Sequence, residues 1–288
     1  MPLLFVPTPL GNLRDVTLRA LDTLKAADLI VAEDTRVARK LLTALAIGTK
    51  ELRSYREQNA RVATAAILER AAAGTVAVVT DAGTPGVSDP GVELVAAARR
   101  AGIPVEVLPG PSAVVPAAVL SGFPLDRFTF AGFVPRAQTA RKRALAAALE
   151  SGTTTIWYES PHRVRATLRS LDELAPDRPV FVLREYTKRF EQQVLAPPAE
   201  AARALPDPVR GEIVLVTPPG SAPQRAPSRA TIDAQIDALL DEGCSVGSVA
   251  KTLAARGTGE RQALYARAVQ RKRSREDGRG PSRERASR

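Results

Sequence analysis

Thr75-Val76-Ala77-Val78-Val79-Thr80-Asp81-Ala82-Gly83-Thr84-Pro85-Gly86-Val87-Ser88-Asp89-Pro90-Gly91 is the stretch whose reading decides the fold of this 288-residue chain. Thr75–Thr80 reads as a buried strand, and it runs directly into eleven residues that hold three glycines and two prolines. Proline fixes φ and glycine supplies φ > 0, so such a loop can be rigid and specifically shaped. Three further Gly/Pro-rich segments also stand where a strand is predicted to end. They are Thr8-Pro9-Leu10-Gly11-Asn12, Pro109-Gly110-Pro111-Ser112-Ala113 and Tyr158-Glu159-Ser160-Pro161-His162-Arg163. In an open α/β sheet, the carboxyl ends of the strands face one crevice, and ligands bind there. Four such loops in succession predict one pocket lined by backbone.

Outward from these loops, strand-like and helix-like runs alternate over short connections, the pattern of a parallel sheet flanked by helices. Strands are expected at Leu3–Val6, Leu29–Ala32, Thr75–Thr80 and Val105–Leu108. A second half begins near Phe123-Pro124, with strands at Phe128–Phe133, Thr153–Trp157, Val180–Leu183 and Gly211–Val216. Asn59–Ala73 is Ala-rich and helical, and Gly74 is its expected C′ stop. The period is unclear from Glu185 to Pro206, where a strand at Glu191–Leu195 and a short helix are expected. The Pro-rich stretch from Pro218 reads as a linker. Helices follow at Ile232–Leu240, Val246–Arg256 and Arg261–Lys272. The expected organisation is an α/β subdomain over 1–120, a second over 121–217, a linker over 218–230, a helical module over 231–272 and a disordered basic tail over 273–288.

Composition narrows the function. With 44% hydrophobic and 25% charged residues the chain reads as a soluble globular protein. No apolar run reaches about 18 residues, so no membrane span is expected. Met1–Val6 lacks a basic flank and reads as a strand rather than a signal peptide, which makes the cytoplasm the default compartment. A single cysteine excludes an intrachain disulfide, and a single histidine argues against a metal site or a Ser-His-Asp triad. The net charge of +10 suits a polyanionic partner, nucleic acid above all. Arg271–Arg288 carries eight Lys or Arg against three acids, as an RNA contact or as a solubilising tail. Arg136, Arg141, Lys142 and Arg143 form a second basic run, either tracking phosphates or covering a solvated helix face.

The loops themselves limit the ligand. The first holds one glycine, Gly11, so the G-x-G-x-x-G cradle for a pyrophosphate is missing. In the second, Asp81, Ser88 and Asp89 supply polar groups, although Asp89 also suits the cap of the helix after Pro90.

Val6-Pro7-Thr8-Pro9-Leu10-Gly11-Asn12-Leu13, Ala32-Glu33-Asp34-Thr35-Arg36, Asp81–Gly91, Pro109–Ala113, Tyr158–Arg163 and Gly211-Glu212 together resemble one family. It is the bacterial small-subunit rRNA ribose 2′-O-methyltransferases of the tetrapyrrole-methylase-like superfamily. The resemblance covers about residues 1–217, and Ala263-Leu264-Tyr265 is similar to the family's C-terminal module. It implies two α/β subdomains with the cofactor between them. It also implies S-adenosylmethionine as methyl donor, a cytidine ribose in the decoding region of small-subunit rRNA as acceptor, and a homodimer. Gly83-Thr84-Pro85 stands where porphyrin-type members have Gly-Asp-Pro, which favours the RNA branch.

By this resemblance Gly83, Thr84 and Val87 line the cofactor, Ser112 and Ala113 face it, and Tyr158, Glu159, Glu212 and Ile213 close its adenosine side. Pro9, Gly11 and Asn12 of the first loop and Asp81 and Ser88 of the second complete the expected cofactor set. Asp34, Glu57, Glu159 and Lys188 are the candidates for accepting the hydroxyl proton, the lysine only if basic neighbours lower its pKa. Glu33-Asp34-Thr35-Arg36 reads equally as a helix cap with a local ion pair. The family has Ser-Tyr-His-Glu-His-Asn where this chain has Ser54-Tyr55-Arg56-Glu57-Gln58-Asn59, so no histidine there can act as base. Arg56, like Arg36, becomes a phosphate-contact candidate. A small-molecule methyltransferase of the tetrapyrrole type and a non-catalytic RNA-binding factor are the alternatives.

Overall fold

The computed structural model describes residues 2–220, 229–255 and 258–277. The chain divides into two compact units, with the boundary at Gly220. The expected linker falls mostly on 221–228, outside the described residues, as do residues 278–288 of the expected tail.

The first unit opens with a five-stranded parallel sheet made of β1 (Leu3–Phe5), β2 (Leu29–Ala32), β3 (Glu51–Ser54), β4 (Val76–Val79) and β5 (Val105–Val107). Its order is β3-β2-β4-β1-β5, with Leu3 opposite both Val76 and Val105. Successive strand residues point to opposite faces, so each face has its own core. Leu3, Phe5, Leu29, Val31, Val76 and Val78 pack under α3 (Ala60–Ala73) and α4 (Val92–Arg100). Val6, Ile30, Ala32, Ala77 and Val79 pack under α1 (Leu18–Ala26) and α2 (Thr35–Ala44). Burial on both faces is why β4 reads as an unbroken apolar run. Because α1 and α4 leave the neighbouring strands β1 and β4 toward opposite faces, a crevice opens above those two strand ends.

The second sheet contains β6 (Phe128–Phe133), β7 (Thr154–Glu159), β8 (Val180–Arg184), β9 (Gln192–Ala196) and β10 (Ile213–Thr217), ordered β6-β7-β10-β8-β9. Only β6 and β7 are parallel; the other pairings are antiparallel. The expected parallel pattern therefore holds in the first sheet and not in the second, where the short 185–191 connection lets β9 fold straight back on β8. Helices α6 (Gln138–Glu150), α7 (Val164–Leu174) and α8 (Pro198–Ala204) bury one face around Leu145, Leu168, Leu171 and Leu215. The other face is covered by α5 (Val114–Ser121), which leaves the first sheet and packs on Ile156, Phe181 and Val214 of the second. That helix joins the two halves through one apolar contact.

Among the described residues the second unit is three helices, α9 (Arg229–Asp241), α10 (Val246–Ala255) and α11 (Arg261–Asp277), around Ile236, Val249, Leu253, Leu264 and Ala268. Helix α11 takes in residues 273–277, which were expected to belong to a disordered tail. Arg267, Arg271 and Arg275 pair with Asp233, Asp237 and Asp241 of α9. Both triplets repeat every four residues, one helical turn, so the ladder zips α11 to α9. Gly74 differs from expectation too. Its φ of −159° is extended rather than left-handed, and a Cβ there would meet Asp28 Oδ2 at 2.6 Å. The residue is small because the chain passes close to Asp28, not because the helix needs a left-handed stop.

Candidate active site

All four loops contribute to one cavity of about 400 Å³, within the range of roughly 300–1,000 Å³ found for small-ligand sites. Leu10 comes from the first loop, Thr80–Thr84 and Val87–Asp89 from the second, Ser112 and Ala113 from the third, and Tyr158–Pro161 from the fourth. The second half adds Phe133, Leu183, Tyr186 and Gly211–Val214. The loops are tied to one another through main-chain atoms. Thr8 and Gly83 exchange both backbone hydrogen bonds, at 2.9 and 3.0 Å. The Thr84 hydroxyl donates to Pro111 O at 3.1 Å, and the Thr8 hydroxyl to Thr80 O at 3.1 Å. Gly83 has φ +81°, and a Cβ there would meet Leu10 Cδ2 at 3.3 Å. Its backbone needs the left-handed region, and the second loop stands that close to the first.

Every titratable carboxyl or base lining the cavity is acidic: Glu33, Asp81, Asp89, Glu159 and Glu212, with no Lys, Arg or His among the described residues there. Burial, reinforced by Glu33, Asp81 and Glu212, pushes the Asp89 carboxyl up to about 6 despite its hydrogen bond with Thr80. Asp81 is raised as well, by burial and by Glu33. Tyr158 is pushed up to about 12 by burial and by Asp89 and Glu212, and it lies edge-on to Phe130 and Phe133. Such a site favours a cationic ligand and repels phosphate. Both oxygens of the Glu159 carboxylate are engaged. It accepts from Arg163 at 2.6 Å and from Ser160 N at 2.7 Å, and also from the Thr167 hydroxyl. It fixes the turn after β7 and has no free oxygen for a hydroxyl proton.

Several expected site residues lie elsewhere. Pro9, Gly11 and Asn12 are not among the lining residues, and only Leu10 of their loop is. Gly11 sits where a Cβ would meet Lys188 Cγ at 2.2 Å, and Asn12 N donates to Thr187 Oγ1 at 3.3 Å. Their loop docks on the connection after β8. Asp34 caps α2, accepting from Arg36 N at 2.8 Å. The Arg36 hydrogen bonds, with Arg56 adding to them, hold its carboxyl well below the usual range. Lys188 bridges Glu185 and Glu212, at 3.0 Å each. Burial alone would lower its pKa, but these two carboxylates outweigh it and raise the value. Its neighbours are acidic rather than basic, so the basic surroundings on which its role as base depended are not found. Nor does Asp89 cap α4, whose N-cap is Gly91 with no side-chain bond.

The basic run is not uniform either. Arg141 is only 9% exposed, donating to Ser170 Oγ at 3.1 Å and to Arg136 O at 3.4 Å. It is an internal strut, not an RNA contact. Lys142 pairs with Glu173, whereas Arg136 and Arg143 are exposed. Arg36 and Arg56 both reach Asp34.

Sequence reasoning missed Glu33, Phe133, Tyr186 and Gly211 as lining residues. The connection after β8 carried a signal only at Lys188. Glu185 and Thr187 there have φ +52° and +64°, a strained path held by Glu212 N donating to Glu185 Oε1 at 3.0 Å.

The family pattern of the Tetrapyrrole (Corrin/Porphyrin) Methylases matches residues 2–203. A protein of Halalkalibacterium halodurans, called Ribosomal RNA small subunit methyltransferase I, is 43% identical over 216 residues, 74% of each chain. Its namesake from Vibrio cholerae is 42% identical over 221 residues, 75% of this chain and 76% of the relative. The chain belongs to the small-subunit ribosomal RNA methyltransferase I family. As a member of that family of tetrapyrrole-type methylases it is a methyltransferase that uses a methyl donor. The crystal structure of diphthine synthase shares the fold, with a TM-score of 0.61 and 16% identity over 76% of this chain and 90% of that one.

Proposed function

We propose that this methyltransferase moves a methyl group from S-adenosylmethionine to the ribose 2′-hydroxyl of a cytidine in the decoding region of small-subunit rRNA. The observation that carries the reading is the cavity at the strand ends, lined by acids and by no cation that could hold a phosphate among the described residues. S-adenosylmethionine, when bound, supplies a methyl carbon already activated by a sulfonium, and it bears no phosphate. Backbone around Gly83, Thr84, Ser112 and Ala113 would hold its uncharged parts, Tyr158 and Ile213 its adenosine, and Asp81 and Glu212 its positive charge. The same acids hold a sulfonium better than the neutral thioether left after transfer, which favours product release. Displacement at an activated carbon asks mainly for positioning. Arg36, Arg56, Arg136 and Arg143 are the cations proposed to meet rRNA phosphates.

A homodimer acting in the cytoplasm completes the reading. Among the described residues no helix is long and apolar enough to cross a membrane. Val115 and Val119 stand one helical turn apart on the exposed face of α5, 55% and 62% accessible. Val107 on β5 and Phe128 on β6, both edge strands, are also exposed, and exposed apolar surface of this kind suits a second copy. Labelled methyl transfer tests the function, using assembled small subunits, naked rRNA and a porphyrinoid as acceptors. Label on ribose of the rRNA is expected; label on the porphyrinoid alone would refute the RNA assignment. Calorimetry with S-adenosylmethionine should show one site, and a chain that binds none is no methyltransferase.

A further inference from the structure

Beside the donor cavity lies a second one of about 320 Å³, bounded by Tyr55, Glu57, Ala60, Ser88–Val92 and Glu93. Ser88 and Asp89 line both cavities, so they form the wall between them. Tyr55 is 3% exposed, and its buried hydroxyl has no hydrogen-bond partner among the described residues. An unpaired buried hydroxyl is costly, and a ligand group entering beside it would supply what the protein does not. The shared wall is also a tight turn, with Ser88 held at a strained φ of +64° between Gly86 at +88° and Gly91 at +152°. Gly91 sits where a Cβ would meet Phe5 Cε1 at 2.9 Å, so packing against the first sheet fixes this turn in place.

We propose that this second cavity receives the acceptor nucleoside, and that Asp89, on the shared wall, takes the proton of the attacking ribose hydroxyl. The proposal rests on the methyl-transfer reading above. Glu57, Asp89 and Glu93 are acceptors suited to ribose hydroxyls and an exocyclic amine, and they would repel a phosphate. The sugar and base therefore enter, and the phosphates stay outside. In the reaction the hydroxyl oxygen forms the new bond to the methyl carbon. The carbon–sulfur bond breaks toward sulfur, and the proton passes to the Asp89 carboxylate. The charged groups around Asp89 are Glu33 after β2, Asp81 after β4 and Glu212 before β10, with Glu57 and Glu93 across the second cavity. All are acids, so the proton is welcomed. Of the sequence candidates Asp34, Glu57, Glu159 and Lys188, Glu57 borders the second cavity and Glu159 the first, where both its oxygens are engaged, and Asp34 and Lys188 border neither.

The test uses the full chain with S-adenosylmethionine and assembled small subunits. For Asp89→Asn, donor affinity by calorimetry should stay within about tenfold of wild type, while single-turnover methylation falls roughly 100-fold or more. The wild-type rate should rise with unit slope up to an inflection at or below about pH 6, and the variant should lose that limb. For Tyr55→Phe and Glu57→Gln, co-sedimentation with subunits in the presence of S-adenosylhomocysteine should weaken, with donor affinity unchanged. A wild type that methylates subunits, alongside an Asp89→Asn variant of equal rate and pH profile, overturns the proton role. Donor affinity lost in step with rate does the same, since Asp89 would then be a donor contact only. Unchanged subunit binding in both second-cavity variants overturns the subsite. A wild-type chain that neither binds donor nor labels subunits overturns the methyl-transfer reading, and this proposal with it.

Discussion

Asp89 is a carboxyl that the fold holds at a cost. Its value of about 6 lies above its ordinary 3.8, so the folded chain binds this proton more tightly than the unfolded one. Stability from this group is therefore full below pH 3.8 and is lost as pH rises toward 6. Replacing Asp89 with Asn should raise the melting temperature at neutral pH and leave it unchanged near pH 4. The gain is at most about 1 kcal/mol, since solvent screens a carboxyl that is only partly buried. Thermal unfolding of both proteins across pH 4–8 measures it, and a gain equal at both ends would mean that burial is not the cause. Gly83 makes the opposite prediction. An L side chain at its φ of +81° is strained, by about 1–2 kcal/mol, and Leu10 already limits the space. Gly83→Ala should lower both stability and donor affinity, read by thermal unfolding and calorimetry, while binding to small subunits is preserved. A loss of subunit binding equal to the loss of donor affinity would mark the loop as purely structural.

Helix α6 carries two arginines of opposite fate two positions apart. Arg141 points inward to Ser170, and Arg143 lies outside. Losing Arg141 removes two charge-assisted bonds and leaves the Ser170 hydroxyl only its bond to Ala166 O, which costs about 1–3 kcal/mol. Arg141→Met should therefore lower the melting temperature and leave the salt dependence of RNA binding as it was. Arg143→Ala should do the reverse, reducing the slope of log affinity against log salt by about 1. Filter binding at graded salt separates them, and equal slopes in all three proteins would remove Arg143 from the interface. The contrast also explains what was legible in the sequence. β4 was readable because it is buried on both faces and so is apolar throughout. β3, Glu51-Leu52-Arg53-Ser54, was missed because an edge strand with alternating exposure carries no apolar run. The lining glycine of the second loop was legible through its Pro/Gly density. Gly11 looked the same, yet its smallness serves the close approach of Lys188 rather than a ligand. Composition reveals that backbone must come close to something, and only packing says to what.

The two units have separate cores: Leu3, Phe5, Leu145 and Leu168 belong to cores of the first, and Ile236, Leu253 and Leu264 to that of the second. The candidate donor and acceptor cavities are built wholly from the first. A ligand that binds only the folded form stabilises the part that binds it, by about 2.7 kcal/mol at a hundredfold excess over its dissociation constant. Scanning calorimetry of the full chain should then resolve two transitions, with S-adenosylmethionine raising the one that belongs to the α/β unit and leaving the helical one in place. The Arg/Asp ladder labels the helical transition independently. Its three ion pairs are partly exposed, and exposed pairs are screened by salt. Raising ionic strength, or changing Asp237 to Asn, should lower that transition and spare the α/β one. If the donor shifts both transitions together, the units fold as one cooperative body, and the ladder's arginines then belong in any account of how the active site is held.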